Sequence, residues 1–224
     1  MTLLAGEEGV AGWIEPEGGA GRVWGLEAVT VAVGPYRQRL AARAFAQANA
    51  RVTGDILQMI TDVVGSSATG GAAGRADAPA RVAVELFAGS GTLSQALWSA
   101  GFEVHAYELD AAARPAFEAA RAALGRRGTW SACDLGGGLV LPAPPTPEVV
   151  LLDPPRTGAA EVMPWVRASG ARIIAYMYRA TSRPGSAIWR RSRPMGAGSW
   201  SACEASTCSL SGHQEVVAVA RRVT

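Results

Sequence analysis

From Arg81 onward, short apolar runs alternate with segments of helical spacing. RVAVELF (81–87), EVHAYE (103–108), Thr129–Cys133, Glu148–Leu152 and Arg172–Met177 read as strands. In each, apolar or β-branched residues cluster between turn formers. Thr92–Ala100, Ala111–Leu124 and Ala159–Ala168 read as helices, with Asp110 placed to cap the second. Glu215–Ala220 adds a last strand. This alternation predicts an α/β fold: a mostly parallel, Rossmann-like twisted sheet with helices on both faces.

Upstream the pattern differs. Residues 1–35 alternate Gly/Glu-rich turns with β-type runs, Arg22–Trp24 and Val29–Val33. They predict a hairpin or meander too small to fold alone. Val52, Ile56, Met59, Ile60 and Val63 recur at helical spacing behind Asn49, a good N-cap. GSSATGGAAGRADAPA (65–80) reads as a flexible linker. Residues 177–210 hold five Arg, many Ser and two Trp, and show neither a helical nor a strand period.

Composition narrows the class. The chain has 224 residues, 49% of them hydrophobic, enough for a packed core. No apolar run is long enough to span a bilayer, and MTLLAGEEGV lacks the basic start of a secretory signal, so a cytoplasmic protein is expected. Cys133, Cys203 and Cys208 make neither a disulfide framework nor a CxxC pair, so no metal site is expected. All 21 basic side chains are Arg, alanine occurs 44 times and asparagine once, the mark of a GC-rich gene. Residues 1–161 carry 12 Arg against 17 acids; residues 162–224 carry 9 Arg against 2 acids. A basic C-terminal third suits RNA phosphates. Five of those nine arginines, however, fall inside the anomalous 177–210 segment.

The candidate chemistry sits where strands end. Glu85-Leu-Phe87-Ala-Gly89-Ser-Gly91-Thr92 follows one strand and opens a helix. Its glycines let a ligand approach the backbone. Glu108 ends the next strand, about 20 residues on, where an acid can hold a ribose diol. Asp134 ends the third strand and Asp153-Pro-Pro-Arg156 the fourth. Any one acid is unremarkable; all of them at carboxyl ends of parallel strands mark a ligand site.

These motifs resemble the class I S-adenosylmethionine (SAM)-dependent methyltransferases, and more narrowly the RNA uracil-5-methyltransferases of tRNA and rRNA. ELFAGSGTLS is similar to that family's DLF-x-G-x-G segment, and LLDPPRTGA to its D-P-P-R-x-G loop. Phe45-Ala-Gln47-Ala-Asn49 matches its F-x-Q-x-N element, and Gly212–Val217 its terminal H-x-E. The resemblance implies SAM as cofactor, an RNA substrate and no membrane. It places Gln47, Phe87, Gly89, Gly91, Thr92, Glu108, Asp134 and Asp153 around SAM. Thr92 stands where the family often has Asn. Arg156 would grip a phosphate or base edge, or make a structural ion pair. Glu215 would remove the C5 proton. The implied domains are a central-domain remnant (1–35), the F-x-Q-x-N element and helix (36–64), the linker (65–80) and the methyltransferase domain (81–224). The family's N-terminal barrel would be missing.

One part of the family's chemistry is missing as well. C5 of uracil is a poor nucleophile until a thiolate adds to C6, after which a carboxylate removes the C5 proton. The family's cysteine follows the fifth strand, in a segment like Y-V-S-C-D-P-A-T. Here the chain continues Met177-Tyr-Arg-Ala-Thr-Ser. Cys133 reads as packing, and Cys203 and Cys208 lie too far along the chain. Read two bases out of frame with GC-rich codons, 177–210 can yield a cysteine across the Arg179 and Ala180 codons, an amphipathic helix, and D-L-F-P before the H-x-E. The expectation is a SAM-binding domain that does not methylate uracil as written. The alternatives are an N-directed RNA methyltransferase, a SAM- or RNA-binding module, or a nonfunctional product whose sheet lacks its edge hairpin.

Overall fold

The computed structural model describes residues 2–14, 21–42, 50–65, 80–137, 146–180, 200–210 and 213–222. The N-terminal part forms five strands. Thr2–Gly6 (β1), Gly9–Ile14 (β2) and Arg22–Gly25 (β3) make an antiparallel sheet. Ala28–Val33 (β4) and Tyr36–Ala41 (β5) make a hairpin. The two pieces are stitched together by Glu7 N–H donating to the Thr30 carbonyl (3.0 Å) and by Thr30 donating to Glu8 through both its N–H and its hydroxyl. These bonds, the hydroxyl's foremost, hold the Glu8 carboxyl down at about 2.

Sequence boundaries placed residues 36–41 with the following helix; they are instead the second strand of this hairpin. The reason is a period of two. Gln38 and Leu40 are buried while Arg37 and Arg39 are exposed, behind a two-residue Gly34-Pro35 turn. The turn tip packs on Ala50–Gly65 (α1), where Gly34 and Gly54 meet backbone to backbone. A Cβ on Gly54 would lie 2.9 Å from Gly34 Cα. The N-cap role of Asn49 lies outside the described residues.

The main sheet has seven strands: Val82–Leu86 (β6), Glu103–Glu108 (β7), Gly128–Ala132 (β8), Val149–Leu152 (β9), Ile173–Ala180 (β10), Trp200–Leu210 (β11) and His213–Arg222 (β12). Their order is β11-β12-β10-β9-β6-β7-β8. β6 to β10 run parallel, and β12 and β11 return antiparallel at one edge. The order reverses between β6 and β9, so the switch point of the sheet lies there, where such folds bind ligands.

Helices cover both faces. α1, Ser94–Ser99 (α2) and Arg114–Ala123 (α3) share one core with Ala83, Val104, Val149, Leu151 and Ile173. Met163–Ala168 (α4) covers the other face, over Val84, Leu86, Val150, Leu152 and Ile174. Asp110 caps the turn before α3, its Oδ1 accepting from Ala112 N–H at 3.0 Å. Among the described residues, no helix is long and apolar enough to cross a membrane.

The edge hairpin corrects one expectation. Residues 200–210 have no clear period, yet they form an 11-residue strand on β12, with one register shift between Ser201 and Glu204. Short Ser, Ala, Cys and Thr side chains accept a strand when a strongly apolar neighbour, here Glu215–Ala220, offers the ladder. The sheet therefore does not lack its edge hairpin.

Candidate cofactor site at the sheet switch point

β6 delivers the glycine loop. Phe87 takes φ +63°, the only positive φ outside glycine among the described residues, and so turns the chain sharply off the strand. Gly89 and Gly91 differ in purpose. A Cβ at Gly89 would meet nothing within 4 Å, so this backbone borders open space. A Cβ at Gly91 would sit 2.5 Å from the Phe117 ring, so this glycine serves helix packing. Thr92, half-buried, lies in the turn ahead of α2.

The loop is pinned from several sides. Gly89 N–H donates to Glu108 Oε2 at 2.9 Å, and its carbonyl accepts from Trp130 Nε1 at 3.2 Å. Ala88 N–H reaches the Tyr107 carbonyl at 3.1 Å, and Gly91 N–H reaches the Ala88 carbonyl at 2.9 Å. Glu108 Oε1 meanwhile accepts from Leu109 N–H (2.8 Å) and Asp110 N–H (2.9 Å). The half-buried carboxylate at the end of β7 is thus oriented before any ligand arrives.

Asp134 follows β8, exposed, with Oδ1 taking Gly136 N–H at 2.9 Å. Asp153 follows β9, and its N–H donates to the Leu86 carbonyl at 3.3 Å. That bond ties the Asp153-Pro154-Pro155 turn to the end of β6, across the switch point. Arg156 is exposed on the same loop, which closes through Gly158 N–H to the Pro155 carbonyl at 2.9 Å. The structure thus gathers Phe87, Gly89, Thr92, Glu108, Asp134 and Asp153 at the carboxyl ends of neighbouring strands. Gly91 belongs to the same loop, turned to the core. Gln47 lies outside the described residues.

Glu215 sits at the same end of the sheet, two strands from β9. Tyr176 pairs with Leu152, and three positions further Arg179 pairs with Glu215, which in turn pairs with Cys208. Arg179, Glu215 and Cys208 occupy one row across β10, β12 and β11. The chain distance that separated Cys208 from the site in sequence is closed by the hairpin. Cys133 is half-buried, and burial, then the Asp134 charge, pushes its thiol up, away from a ready thiolate.

Sequence reading missed four residues. Glu85, inside the wholly buried β6, is 1% exposed and accepts from the Ser94 hydroxyl. Burial lifts its carboxyl to about 8, a rise the Ser94 bond opposes and the Asp153 and Glu108 charges reinforce. The signal was present: one acid in an otherwise apolar run. Trp130 and Gln38 hold the loop through bonds that no local pattern announces. Tyr176 lies beside the Asp153 loop, its phenol pushed up by burial against an opposing Ala159 backbone bond.

No family model matches the sequence, and no curated protein matches it. Solved structures do match. A tRNA (uracil-54, C5)-methyltransferase of Pyrococcus abyssi, in complex with S-adenosyl-L-homocysteine, aligns with TM-score 0.64 and 14% identity. The alignment covers 89% of this chain and 45% of that one, so the chain spans under half of that enzyme's length. TYW2 of P. horikoshii, in complex with MeSAdo, aligns with TM-score 0.63 and 16% identity over 90% of this chain and 74% of that one. Magnesium protoporphyrin IX methyltransferase of Synechocystis, with bound SAM, aligns with TM-score 0.56 and 19% identity over 80% and 86%. The chain has the Rossmann-like fold of these methyltransferases.

Proposed function

We propose that the chain is a SAM-binding methyltransferase domain of the RNA uracil-5 type, directed to tRNA or rRNA, with transfer to C5 disabled as the sequence stands. One observation carries the reading. Glu108, Asp134 and Asp153 surround a glycine loop at the switch point, and Glu108 is already oriented by three backbone N–H groups. Open space beside Gly89 and an oriented acid next to it suit a nucleoside bearing a ribose diol. The D-P-P-R sequence and structural neighbours that act on tRNA support the RNA part of the reading.

Bound SAM supplies an electrophilic methyl group. Glu108 would hold the ribose hydroxyls, and Phe87 and Asp134 would line the cofactor site. By resemblance, Gln47 and Thr92 would complete the cofactor contacts. Asp153, fixed by the Pro154-Pro155 turn, would sit between cofactor and base, and Arg156 would grip a phosphate or the base edge, or make a structural ion pair. Glu215 would remove the C5 proton once a methyl group had been added there. What the row lacks is a thiol at position 179, across from Glu215. Without addition at C6, C5 carries too little electron density to take the methyl group.

The missing thiol leaves a second reading, transfer to a ring nitrogen, which needs none, although the D-P-P-R loop in place of an N-P-P-Y-like one argues against it. The shifted reading frame over 177–210 remains part of the proposal. β11 forms from the sequence as written, so the frame idea rests on the missing cysteine and the latent D-L-F-P. Resequencing from the Tyr176 codon through His213 decides it.

The functional test has two arms. Calorimetry on the folded chain is expected to show one SAM site; a folded sample with no binding heat overturns the cofactor reading. Arg179→Cys is expected to form a covalent adduct with RNA containing 5-fluorouridine, whose C5 fluorine blocks the final elimination, while the parent chain forms none. N-methylated nucleosides from the parent chain move the second reading to first place.

A further inference from the structure

Among the described residues, one side chain of the N-terminal hairpin hydrogen-bonds to the cofactor loop. Gln38, on β5, is completely buried. Its Nε2 donates to the Ser90 carbonyl at 3.2 Å, and its Oε1 accepts from Gln95 Nε2 on α2. Gln95 is 1% exposed. A buried amide with both ends engaged is costly to disturb. The acceptor-only carbonyl of Ser90 also fixes which end of Gln38 is the nitrogen.

The peptide Ser90–Gly91 is planar, so its orientation is set by what its oxygen and its N–H each bind. Gln38 holds the oxygen, and the Ala88 carbonyl holds the N–H at 2.9 Å. The preceding peptide, Gly89–Ser90, has its oxygen held by Trp130 at 3.2 Å. Successive carbonyls of the glycine loop are therefore anchored on opposite parts of the molecule: one on β8 of the methyltransferase sheet, one on the N-terminal hairpin. Losing the second anchor leaves the Ser90–Gly91 peptide held at its N–H alone, so its carbonyl is no longer fixed.

We infer that Gln38 is a positioning residue for cofactor binding, so that the N-terminal β unit is a structural part of the SAM site rather than a separate remnant. The inference rests on the reading that the glycine loop holds SAM. A residue that merely glues the hairpin down behaves differently from one that sets the loop, and Tyr36 supplies the comparison. Its hydroxyl meets Thr61 Oγ1 on α1 at 3.3 Å, tying down the same hairpin away from the loop.

The experiment measures SAM affinity by calorimetry, and amide hydrogen exchange of residues 88–92 without ligand, for Gln38→Met, Gln95→Met and Tyr36→Phe in the full chain. Gln38→Met is expected to weaken SAM binding by about tenfold, the usual effect of one lost buried hydrogen bond, and to speed exchange in the loop. Gln95→Met, which leaves Gln38 in place but unsupported, is expected to shift both in the same direction by less, and it serves if Gln38→Met does not fold. Tyr36→Phe is expected to lower the melting temperature with affinity unchanged. If both glutamine variants bind SAM within twofold of the parent chain, or if affinity falls equally in Tyr36→Phe, the inference is overturned. A parent chain that binds no SAM overturns the cofactor reading and this inference with it.

Discussion

The two ends of the same parallel strands are built on opposite electrostatic plans. At the amino ends, charges close on each other. Arg81, just before β6, makes a two-pronged pair with Glu148, just before β9, at 2.9 Å on each prong, and its guanidinium lies 4.0 Å from the centre of the Phe102 ring. Arg127 pairs with Glu103 at 2.9 Å. At the carboxyl ends, Glu108 and Asp134 are held by backbone N–H groups, and buried Glu85 is held by a hydroxyl. An acid matched by a cation is finished. An acid oriented only by backbone N–H groups keeps part of its accepting capacity for something else. The strands are shared, so packing does not explain the contrast; the proposed cofactor site accounts for it.

Breaking each end separately sharpens this contrast. The largest effect is expected from Glu108→Ala, which removes the acid proposed to hold the ribose and the Gly89 anchor together. SAM affinity measured by calorimetry should fall by about a hundredfold, roughly 2–3 kcal/mol, with unliganded stability changed by about 1 kcal/mol or less. Arg81→Ala should do the reverse. Removing one partner of a largely buried pair, together with its ring contact, should cost about 2 kcal/mol in urea unfolding, the buried-pair value being discounted for partial exposure, while SAM affinity stays within about twofold. If both variants lose affinity and stability alike, the two ends do not differ in purpose.

Glu85 gives the contrast a pH signature. Its folded-state carboxyl titrates near 8 and the unfolded one near 4.5. Between those values the folded chain holds a proton that the unfolded chain has released. This contribution to stability is therefore complete below the unfolded value and is lost as pH rises through 8, at a limiting slope of about 1.4 kcal/mol per pH unit. Glu85→Gln should flatten the unfolding free energy between these limits; an unchanged slope would show that Glu85 does not titrate there. The smallest effect is expected at Cys133. With its thiol pushed up rather than down, Cys133→Ser should leave SAM affinity unchanged and shift stability by under about 1 kcal/mol. A large loss of binding would assign Cys133 a role its environment does not suggest.

The legibility of the sequence followed the same division. β6 and β9 were readable because fully buried parallel strands are nearly continuous apolar runs, β7 and β8 because apolar or β-branched residues sit between turn formers, and Glu108, Asp134 and Asp153 because each stands where one of these strands stops. The period-two signal of Tyr36–Ala41 was short and lay beside a recognisable motif, so the strand was assigned to the wrong unit. β11 carried no pattern because its conformation is imposed by β12, a non-local cause. Gln38 and Trp130 were invisible for a similar reason: their partners lie 52 and 41 residues away, and a loop carbonyl leaves no mark in a sequence. Glu85 was legible and was passed over as part of the glycine motif.

The most direct test incubates the folded chain with methyl-tritiated SAM and uridine-rich transfer and ribosomal RNA, then separates bound label from label in digested nucleosides. The expected result is label retained by the protein with none in 5-methyluridine. Label appearing in 5-methyluridine would contradict the central claim and would point to Cys208, which shares the row of Arg179 and Glu215, as the nucleophile.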